Sequence, residues 1–248
     1  MDKVMLITGA SKGIGAATAR IAGQRGWTVC VNYHSDEPAA RRLVEEIDAN
    51  GGRAFIAQGD GSREADVLRV FETIDREYGR LDGLVNNAGI LEQQTRLDQM
   101  SADRLARVFA TNINGAFLCA REAVRRMSTA HGGQGGAIVN VSSAASRLGS
   151  PWEYIDYAAS KGALDTLTLG LSKEVATEGV RVNAVRPGLI YTDIHARGGE
   201  PERVDRLGAT VPMGRGGTAE EVALSIMWLM SEEASYCTGT LLDVAGGR

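Results

Sequence analysis

The stretch TGASKGIG, Thr8–Gly15, joins the apolar run Val4–Thr8 to the amphipathic stretch Gly13–Arg25. Glycines permit a sharp turn between a strand and a helix and let the backbone approach a phosphate group. The first turn of a helix adds free N–H groups and a partial positive charge. The spacing GxxxGxG differs from the common GxGxxG dinucleotide fingerprint. It predicts a phosphate-binding turn, and a structural glycine turn without a ligand is the alternative.

Short β-branched runs and longer amphipathic stretches alternate along the rest of the chain. The predicted strands are Val4–Thr8, Thr28–Asn32, Ala54–Ala57, Gly83–Asn86, Ala137–Val141, Arg181–Arg186 and Thr240–Val244. The predicted helices are Gly13–Arg25, Pro38–Asn50, Glu64–Tyr78, Ala102–Met127, Tyr157–Thr177 and Ala219–Met230. This alternation predicts βαβ units with right-handed crossovers, and therefore a doubly wound parallel sheet with helices on both faces. We expect a three-layer α/β fold of Rossmann type in a single domain, residues 1–248.

The composition excludes several classes of protein. The 248 residues include 27 Lys and Arg and 31 Asp and Glu, which gives a formal net charge of −4. The hydrophobic share of 44% and the charged share of 23% match an ordinary globular chain rather than a disordered, collagen-like or coiled-coil one. A mildly acidic chain without a basic stripe is not expected to bind nucleic acid.

The cysteines and the apolar runs predict a cytoplasmic protein. Cys30, Cys119 and Cys237 lie far apart and form no CxxC pair. This spacing is typical of buried thiols in a reducing compartment, and it predicts neither disulfides nor a metal site. No apolar run approaches the ~18 residues of a membrane span, so no membrane partner is expected. The first apolar run is too short for a signal peptide.

The segment Thr192–Gly217 interrupts the alternation. It contains Pro201 and Pro212 and has little strand signal. A loop of this length in a compact domain is usually functional. We therefore expect a substrate lid at about residues 192–217.

The residues after the second predicted strand bear on the choice of cofactor. An acidic residue at that position would bind a ribose 2′-hydroxyl and favour NAD, whereas a basic or hydroxyl-lined site accommodates a 2′-phosphate. Here Asn32 is followed by Tyr33, His34 and Ser35, and the first carboxylate after the strand is that of Asp36. Lys12 in the glycine turn could also meet the phosphate. NADP(H) is therefore favoured and NAD(H) remains possible, since Lys12 could instead be a solvated lysine and Asp36 could still reach the ribose.

Tyr157 and Lys161 are spaced to share one face of a helix. An ammonium beside a phenol stabilises the phenolate and lowers the tyrosine pKa from about 10. The pair could then exchange a proton with a substrate oxygen near neutral pH. A solvated helix face is the ordinary alternative. Tyr154 lacks such a partner, because the residue four positions later is Ala158.

Three more polar residues stand at positions where a side chain could act on a ligand. Ser142 and Ser143 end the strand Ala137–Val141 and could hydrogen-bond a substrate carbonyl, although strand-end capping would explain them as well. Asn112 falls within a predicted helix, where asparagine is mildly unfavourable. It needs either a hydrogen-bonding role or contact with solvent.

The order of these motifs resembles that of the classical short-chain dehydrogenase/reductase family. The motifs are TGASKGIG, Asn86–Gly89 (NNAG), Asn112, Ser143, Tyr157-x-x-x-Lys161 and Pro187–Thr192. The resemblance covers essentially the whole chain, including the glycine-rich tail. Within the family the chain looks most similar to bacterial members of the glucose-dehydrogenase and 3-oxoacyl-carrier-protein-reductase types.

The resemblance implies a Rossmann fold with seven strands and a role for each motif. Tyr157 would be the general acid/base, Lys161 would bind the nicotinamide ribose, Ser143 would hold the substrate oxygen and Asn112 would anchor a water in a proton relay. Asp60 would contact adenine. The implied cofactor-binding set is Gly9, Ser11, Lys12, Gly13, Ile14, Gly15, Asn32, Ser35, Asp60, Gly61, Asn87, Ala88, Gly89, Tyr157, Lys161, Pro187, Gly188, Ile190 and Thr192, with Ile190 and Thr192 on the carboxamide.

One spacing departs from the family pattern. The interval from Ser143 to Tyr157 is one residue longer than usual, and the extra residue is expected within Ser150–Asp156. Choosing Ser142 would widen the mismatch, so Ser143 is preferred and Ser142 is the second choice. The insertion falls beside the expected substrate pocket and therefore weakens any transfer of substrate identity.

The expected activity is NADP(H)-dependent interconversion of a carbonyl and an alcohol, with a substrate that the sequence does not name. A small polyol, sugar or xenobiotic ketone is one substrate class. A 3-oxoacyl-[acyl-carrier-protein] reductase is the alternative; an acyl carrier protein could then dock on Arg121, Arg125 and Arg126. Glu122 sits among these arginines, so a solvated face explains them equally well. A non-catalytic NADP-binding module is the third possibility. The resemblance also implies a homotetramer.

Overall fold

Seven parallel strands form one sheet in the computed structural model, which describes residues 3–248. The strands are β1 (Val4–Ile7), β2 (Thr28–Tyr33), β3 (Arg53–Gln58), β4 (Gly83–Asn86), β5 (Gly136–Val141), β6 (Val180–Pro187) and β7 (Leu241–Val244). Their order is β3-β2-β1-β4-β5-β6-β7, and every neighbouring pair is parallel. The predicted doubly wound Rossmann-type sheet is confirmed.

Helices cover both faces of the sheet. They are α1 (Gly13–Gln24), α2 (Glu37–Ala49), α3 (Glu64–Tyr78), α4 (Ala102–Phe109), α5 (Gly115–Met127), α6 (Ala145–Leu148), α7 (Ile155–Val175), α8 (Ile194–Arg197), α9 (Arg203–Gly208) and α10 (Ala219–Leu229). One apolar cluster packs α1, α2 and α10 on the sheet, and a second packs α3, α5 and α7 on the opposite face. The central strands β1, β2 and β4 are buried along their whole length and therefore appear in the sequence as short apolar runs, whereas the edge strands β3 and β7 are only partly buried.

The predicted helix Ala102–Met127 is interrupted. A π-helical turn, Ala110–Asn114, separates α4 from α5 and contains the buried Asn112. Single π turns often mark functional positions. Here the Asn112 amide bonds the backbone of Ile90 and the hydroxyl of Ser160. These tertiary bonds account for the interruption, which the apolar period of the sequence does not reveal.

The segment 192–217 is not a plain loop. It contains α8 and α9, and a single parallel bridge from Ile190 to Gly217 joins its two ends. Val204 and Val211 of this segment form a small apolar cluster with Leu189. The segment is therefore a small folded unit beside the main core.

Candidate active site

A cleft of about 820 Å³ lies at the carboxyl edge of the sheet, where the strand order reverses between β1 and β4. This reversal is the usual ligand-binding position of a doubly wound sheet. Gly15 and Asn112 are the predicted site residues that do not line the cleft. The predicted residues that do line it are Gly9, Ser11, Lys12, Gly13, Ile14, Asn32, Ser35, Asp60, Gly61, Asn87, Ala88, Gly89, Ser143, Tyr157, Lys161, Pro187, Gly188, Ile190 and Thr192.

The glycine turn is shaped by close backbone packing. Gly9 and Gly13 have φ values of 60° and 56°, a left-handed conformation that other residues adopt with strain. A Cβ on Gly15 would lie 2.5 Å from Nδ2 of Asn87. Gly15 therefore allows α1 to approach the loop after β4, and it does not face the cleft.

Two side chains outside the glycine stretch brace the turn. Asn87 Nδ2 donates to the carbonyls of Thr8 (2.9 Å) and Gly9 (3.1 Å). Oδ1 of Asn32 accepts from Gly9 N at 3.1 Å, while Nδ2 of Asn32 donates to the carbonyls of Ala57 and Gly59. The amides of Asn87 and Asn32 are thus occupied in holding the shape of the turn.

Thr8 is a bracing residue that the sequence analysis did not assign. Its Oγ1 accepts from the backbone N–H groups of Asn87 and Ala88, each at 3.0 Å. The sequence offered one signal for this role, a threonine directly after the run that forms β1.

The far end of the cleft carries charged groups. Lys12 Nζ lies 2.7 Å from Oδ2 of Asp36, and both side chains are exposed. Asp36 also caps α2 by accepting from Ala39 N at 3.1 Å. The Lys12 hydrogen bond, together with that cap, lowers the pKa of Asp36. Lys12 is therefore a solvated lysine that is paired with the neighbouring carboxylate, and Ser35 lines the cleft beside them.

The tyrosine and lysine occupy the first turns of α7. The Ser143 hydroxyl is close enough to the phenol of Tyr157 to lower its pKa, and it also accepts from Ala145 N at 3.1 Å. Ser142 is buried, and its hydroxyl donates to the carbonyl of Lys161 at 3.1 Å. Ser143 rather than Ser142 therefore lies against the phenol.

The pKa values around the phenol differ from the sequence-based expectation. Burial raises the pKa of Tyr157 to about 12, and the hydrogen bond from Ser143 only partly opposes it. Lys161 does not bring this pKa down, because its Nζ donates to the carbonyl of Val141 at 2.7 Å and lies 5.4 Å from the centre of the Tyr157 ring. The predicted lowering is thus wrong for this arrangement. Burial also lowers the pKa of Lys161 to about 8, although the negative charge of Asp165 raises it.

Asn112 joins two walls of the cleft from beneath. Its Oδ1 accepts from Ile90 N at 2.8 Å, and its Nδ2 donates to Ile90 O at 3.0 Å and to Ser160 Oγ at 3.1 Å. The loop after β4 is therefore bound to α7 one turn beyond Tyr157. Every hydrogen-bonding atom of this amide has a protein partner.

The stretch after β6 closes the cleft on the remaining side. Gly188 N donates to Val244 O at 3.0 Å, which fixes this stretch to β7. The ring of His195 hydrogen-bonds the carbonyl of Ile190 at 3.1 Å through Nε2. Burial lowers the pKa of His195, so the neutral imidazole is favoured. His195 lines the cleft, and no sequence motif had pointed to it.

The arginines of α5 are neutralised by carboxylates. Arg121 pairs with Glu64 and Glu122, and Arg125 pairs with Glu122. Arg126 pairs with Glu122 and with Asp75. The basic face proposed from the sequence is therefore a mixed network of ion pairs.

Within residues 3–248, no cluster of three or more His, Cys, Asp or Glu side chains is placed to hold a metal ion. None of the helices in that range combines the length and apolarity needed to cross a membrane.

Comparison with known proteins places the chain among oxidoreductases. A family model described as enoyl-(acyl carrier protein) reductase matches residues 9–248. The chain is 57% identical to an uncharacterised oxidoreductase of Escherichia coli, YgfF, over 99% of both chains. It is 40% identical to 3beta-hydroxysteroid dehydrogenase 1 of Eggerthella lenta, over 99% of this chain and 93% of that one. It is 37% identical to glucose 1-dehydrogenase 2 of Bacillus subtilis, over 99% of this chain and 94% of that one.

Two solved structures show the same fold at full length. A 3-ketoacyl-(acyl-carrier-protein) reductase from Brucella melitensis complexed with NADH has a TM-score of 0.91 and 32% identity, with 99% of this chain and 98% of that chain covered. A short-chain dehydrogenase from Burkholderia cenocepacia in complex with NADP has a TM-score of 0.90 and 30% identity, with coverages of 99% and 97%. With the glycine turn, the cleft and the motif order, these matches establish that the chain belongs to the short-chain dehydrogenase/reductase family of NAD(P)-binding oxidoreductases.

Proposed function

We propose that this protein is an NADP(H)-dependent oxidoreductase that interconverts a small carbonyl compound and the corresponding alcohol by hydride transfer. The observation that carries the proposal is that Tyr157, Ser143 and Lys161 line the same cleft as the glycine turn. A phosphate-binding turn and a proton-donating phenol are the two parts that such a reaction requires.

The cleft fits a dinucleotide. A Cβ on Gly13 would approach Thr192 Cγ2 to 3.4 Å, and a Cβ on Gly89 would approach Lys161 Nζ to 3.4 Å. Both glycines line the cleft, which extends from the glycine turn to Lys161. Residues 9–15 and the first turn of α1 would hold the diphosphate. Lys12 and Ser35 would hold a 2′-phosphate, Asp60 the adenine, Lys161 the nicotinamide ribose, and Ile190 and Thr192 the carboxamide.

The protein groups would supply the proton and position the substrate. The bound nicotinamide supplies the hydride. With a pKa of about 12, Tyr157 is protonated at neutral pH and can give its proton to a carbonyl oxygen. The hydroxyl of Ser143 would hydrogen-bond the same oxygen and stabilise the charge that develops on it. Asn112 would keep the loop after β4 against α7, near the proton relay that the family resemblance implies.

The decisive experiment follows NADPH oxidation with a panel of ketones. Native protein is expected to reduce at least one ketone, and Tyr157→Phe is expected to lose activity by about 10²–10⁴-fold because the proton donor is gone. Tyr78→Phe is a matched control, since that ring stacks on Phe55 away from the cleft. Retained activity in Tyr157→Phe would remove this tyrosine from the mechanism. NADP binding without turnover of any substrate would favour the non-catalytic module.

A carrier-bound acyl substrate is the second candidate. The full-length similarity to a 3-ketoacyl-(acyl-carrier-protein) reductase favours it. The ion pairs that occupy the α5 arginines count against docking at that face. Charge reversal at Arg125 and Arg126 discriminates the two, because selective loss of activity on a carrier-linked substrate would support docking there. Equal activity on free and carrier-linked substrates would argue against it.

Three further properties belong to the proposal. The segment 192–217 would act as a lid over the substrate. The three cysteines are free, which suits the reducing cytoplasm. The assembly would be a homotetramer, as the family resemblance implies.

A further inference from the structure

Three chain segments meet at one buried arginine beside the cleft. They are the loop after β4 (residues 87–96), the loop before α7 (residues 149–154) and the segment 192–217, which carries Arg203 on α9. The Arg203 side chain is only 8% exposed. It donates to both carboxylate oxygens of Glu153, at 2.9 and 2.5 Å, and to Glu200 at 2.7 Å. A bidentate arginine–carboxylate pair of this kind is strong and geometrically specific.

Tyr154 completes this contact on the side of the cleft. The guanidinium carbon of Arg203 lies 5.5 Å from the centre of the Tyr154 ring, a cation–π distance. The Tyr154 hydroxyl donates to the carbonyl of Gly198 at 3.2 Å. Tyr154 and Arg203 both line the cleft. Tyr154 precedes Tyr157 by three residues, so the wall that it forms stands next to the reacting phenol.

Two hydrogen bonds tie the third segment to the same cluster. Gln94 Nε2 donates to Glu200 at 2.7 Å, and Thr95 N donates to the carbonyl of Glu153 at 3.1 Å. Glu153 and Glu200 thus each connect two segments, and Arg203 binds both carboxylates. Removal of Arg203 would leave two carboxylates facing each other without their shared cation.

The loop before α7 needs these contacts to keep its shape. Ser150 and Trp152 have φ values of 42° and 68°, which are strained for residues other than glycine. Such conformations persist when surrounding contacts over-determine them. The extra residue expected from the family spacing, within Ser150–Asp156, also falls in or next to this loop. Glu153 follows these strained residues directly, and Arg203 of the segment 192–217 binds it there.

We propose that Arg203 is a specificity-determining residue that latches the segment 192–217 to the loop before α7 and so builds the substrate wall beside Tyr157. The inference rests on the proposed function for its substrate. In the latched form, Tyr154 and the start of α9 enclose the substrate end of the cleft. Without the latch, only part of the population has a closed wall, and the apparent affinity for substrate falls by that fraction.

Arg203→Met tests the latch, with Arg206→Met as the matched control. Arg206 also lies on α9 and binds Glu200 at 2.6 Å, but it is exposed and does not contact Glu153. Two readouts are compared: KM against kcat for a ketone, and amide hydrogen exchange over residues 194–208. Arg203→Met is expected to raise KM about tenfold, leave kcat within about twofold and speed exchange in that range about tenfold, as loss of a buried coupled pair predicts. Arg206→Met is expected to leave both readouts within about twofold.

Two further variants distinguish loss of the ion pair from misfolding of Arg203→Met. Glu153→Gln keeps the side-chain shape while removing one charge, and the same changes in smaller measure are expected. Arg203→Lys is expected to raise KM less than Arg203→Met does, because lysine keeps the charge but not the bidentate geometry. Unchanged KM and exchange in both Arg203→Met and Glu153→Gln would overturn the proposal, as would faster exchange spread evenly over the sheet. If native protein reduced no ketone, the proposed function would fail while the exchange comparison still decided the latch.

Discussion

Burial acts in opposite directions on the two ionisable side chains of α7 that face the cleft. The pKa of Tyr157 is raised to about 12 and that of Lys161 is lowered to about 8, since each shift disfavours the charged form. At pH values between about 8 and about 12, the Tyr157 phenol keeps its proton, whereas the Lys161 amine is mostly neutral. The protonated phenol and the charged ammonium coexist below about pH 8, which is the state that carbonyl reduction needs.

The pH dependence of kcat/KM checks this assignment, because that ratio reports groups of the free enzyme. For ketone reduction we expect a level profile below about pH 7 and a decline as the pH rises through about 8, where Lys161 deprotonates. Asp165→Asn is expected to move the decline to lower pH, because the Asp165 charge raises the Lys161 pKa. A profile that rises through pH 8 would contradict the assignment.

The proposed preference for NADP(H) depends on single residues as well. Lys12 and Ser35 line the adenosine end of the cleft, and Lys12 is the cation there that a 2′-phosphate would bind. Lys12→Ala is expected to weaken NADPH binding about tenfold, the scale of a charged hydrogen bond, and to leave NADH binding within about twofold. Asp36→Asn is the control, since it removes the partner of Lys12 at 2.7 Å and is not expected to weaken NADPH binding. Fluorescence titration that gives native protein equal affinity for NADH and NADPH would refute the preference.

At the scale of elements, α4 is joined to α7 by a buried ion pair directly before Tyr157. Arg104 donates to both carboxylate oxygens of Asp156, at 2.7 and 3.1 Å, and to the carbonyl of Gln93 at 2.5 Å. The Asp156 side chain is 1% exposed. This pair and the Asn112 amide bind the loop after β4 to α7 on either side of Tyr157.

Breaking that pair is expected to be costly. Arg104→Met leaves the Asp156 charge buried without a partner, so urea unfolding should show a loss of about 3–5 kcal/mol. The double variant Arg104→Met/Asp156→Leu removes both charges and is expected to be more stable than Arg104→Met alone. If the double variant were the less stable of the two, the account of the pair would be wrong.

Elements differ in how far their local sequence determines them. Each strand end lies within one residue of its predicted position, because short apolar runs bounded by glycine and polar residues mark the strands of a sheet covered by helices. The π turn could not be predicted, since the partners of Asn112 are far away in the chain. Helical spacing placed Tyr157 and Lys161 on one face. It could not give the direction of the Tyr157 pKa, which depends on burial by the whole cleft.

At the scale of the molecule, the sheet, both helical layers and the segment 192–217 converge on one cleft. Exposed apolar side chains remain on α10 and after it, among them Leu224, Trp228 and Tyr236. We expect a homotetramer in solution, and sedimentation velocity measures it directly. A single monomeric species at micromolar concentration would contradict that expectation.

The proposed reaction depends on proton transfer from the Tyr157 phenol beside a nicotinamide bound in the same cleft. A single-turnover reaction tests it most directly, with NADPH deuterated at the hydride-donating carbon and a ketone that native protein reduces. Native protein is predicted to place the deuterium on the carbinol carbon. Tyr157→Phe is predicted to still bind NADPH and to form no labelled alcohol on that timescale. Labelled alcohol formed by Tyr157→Phe at the native rate would show that the Tyr157 phenol is not the proton donor.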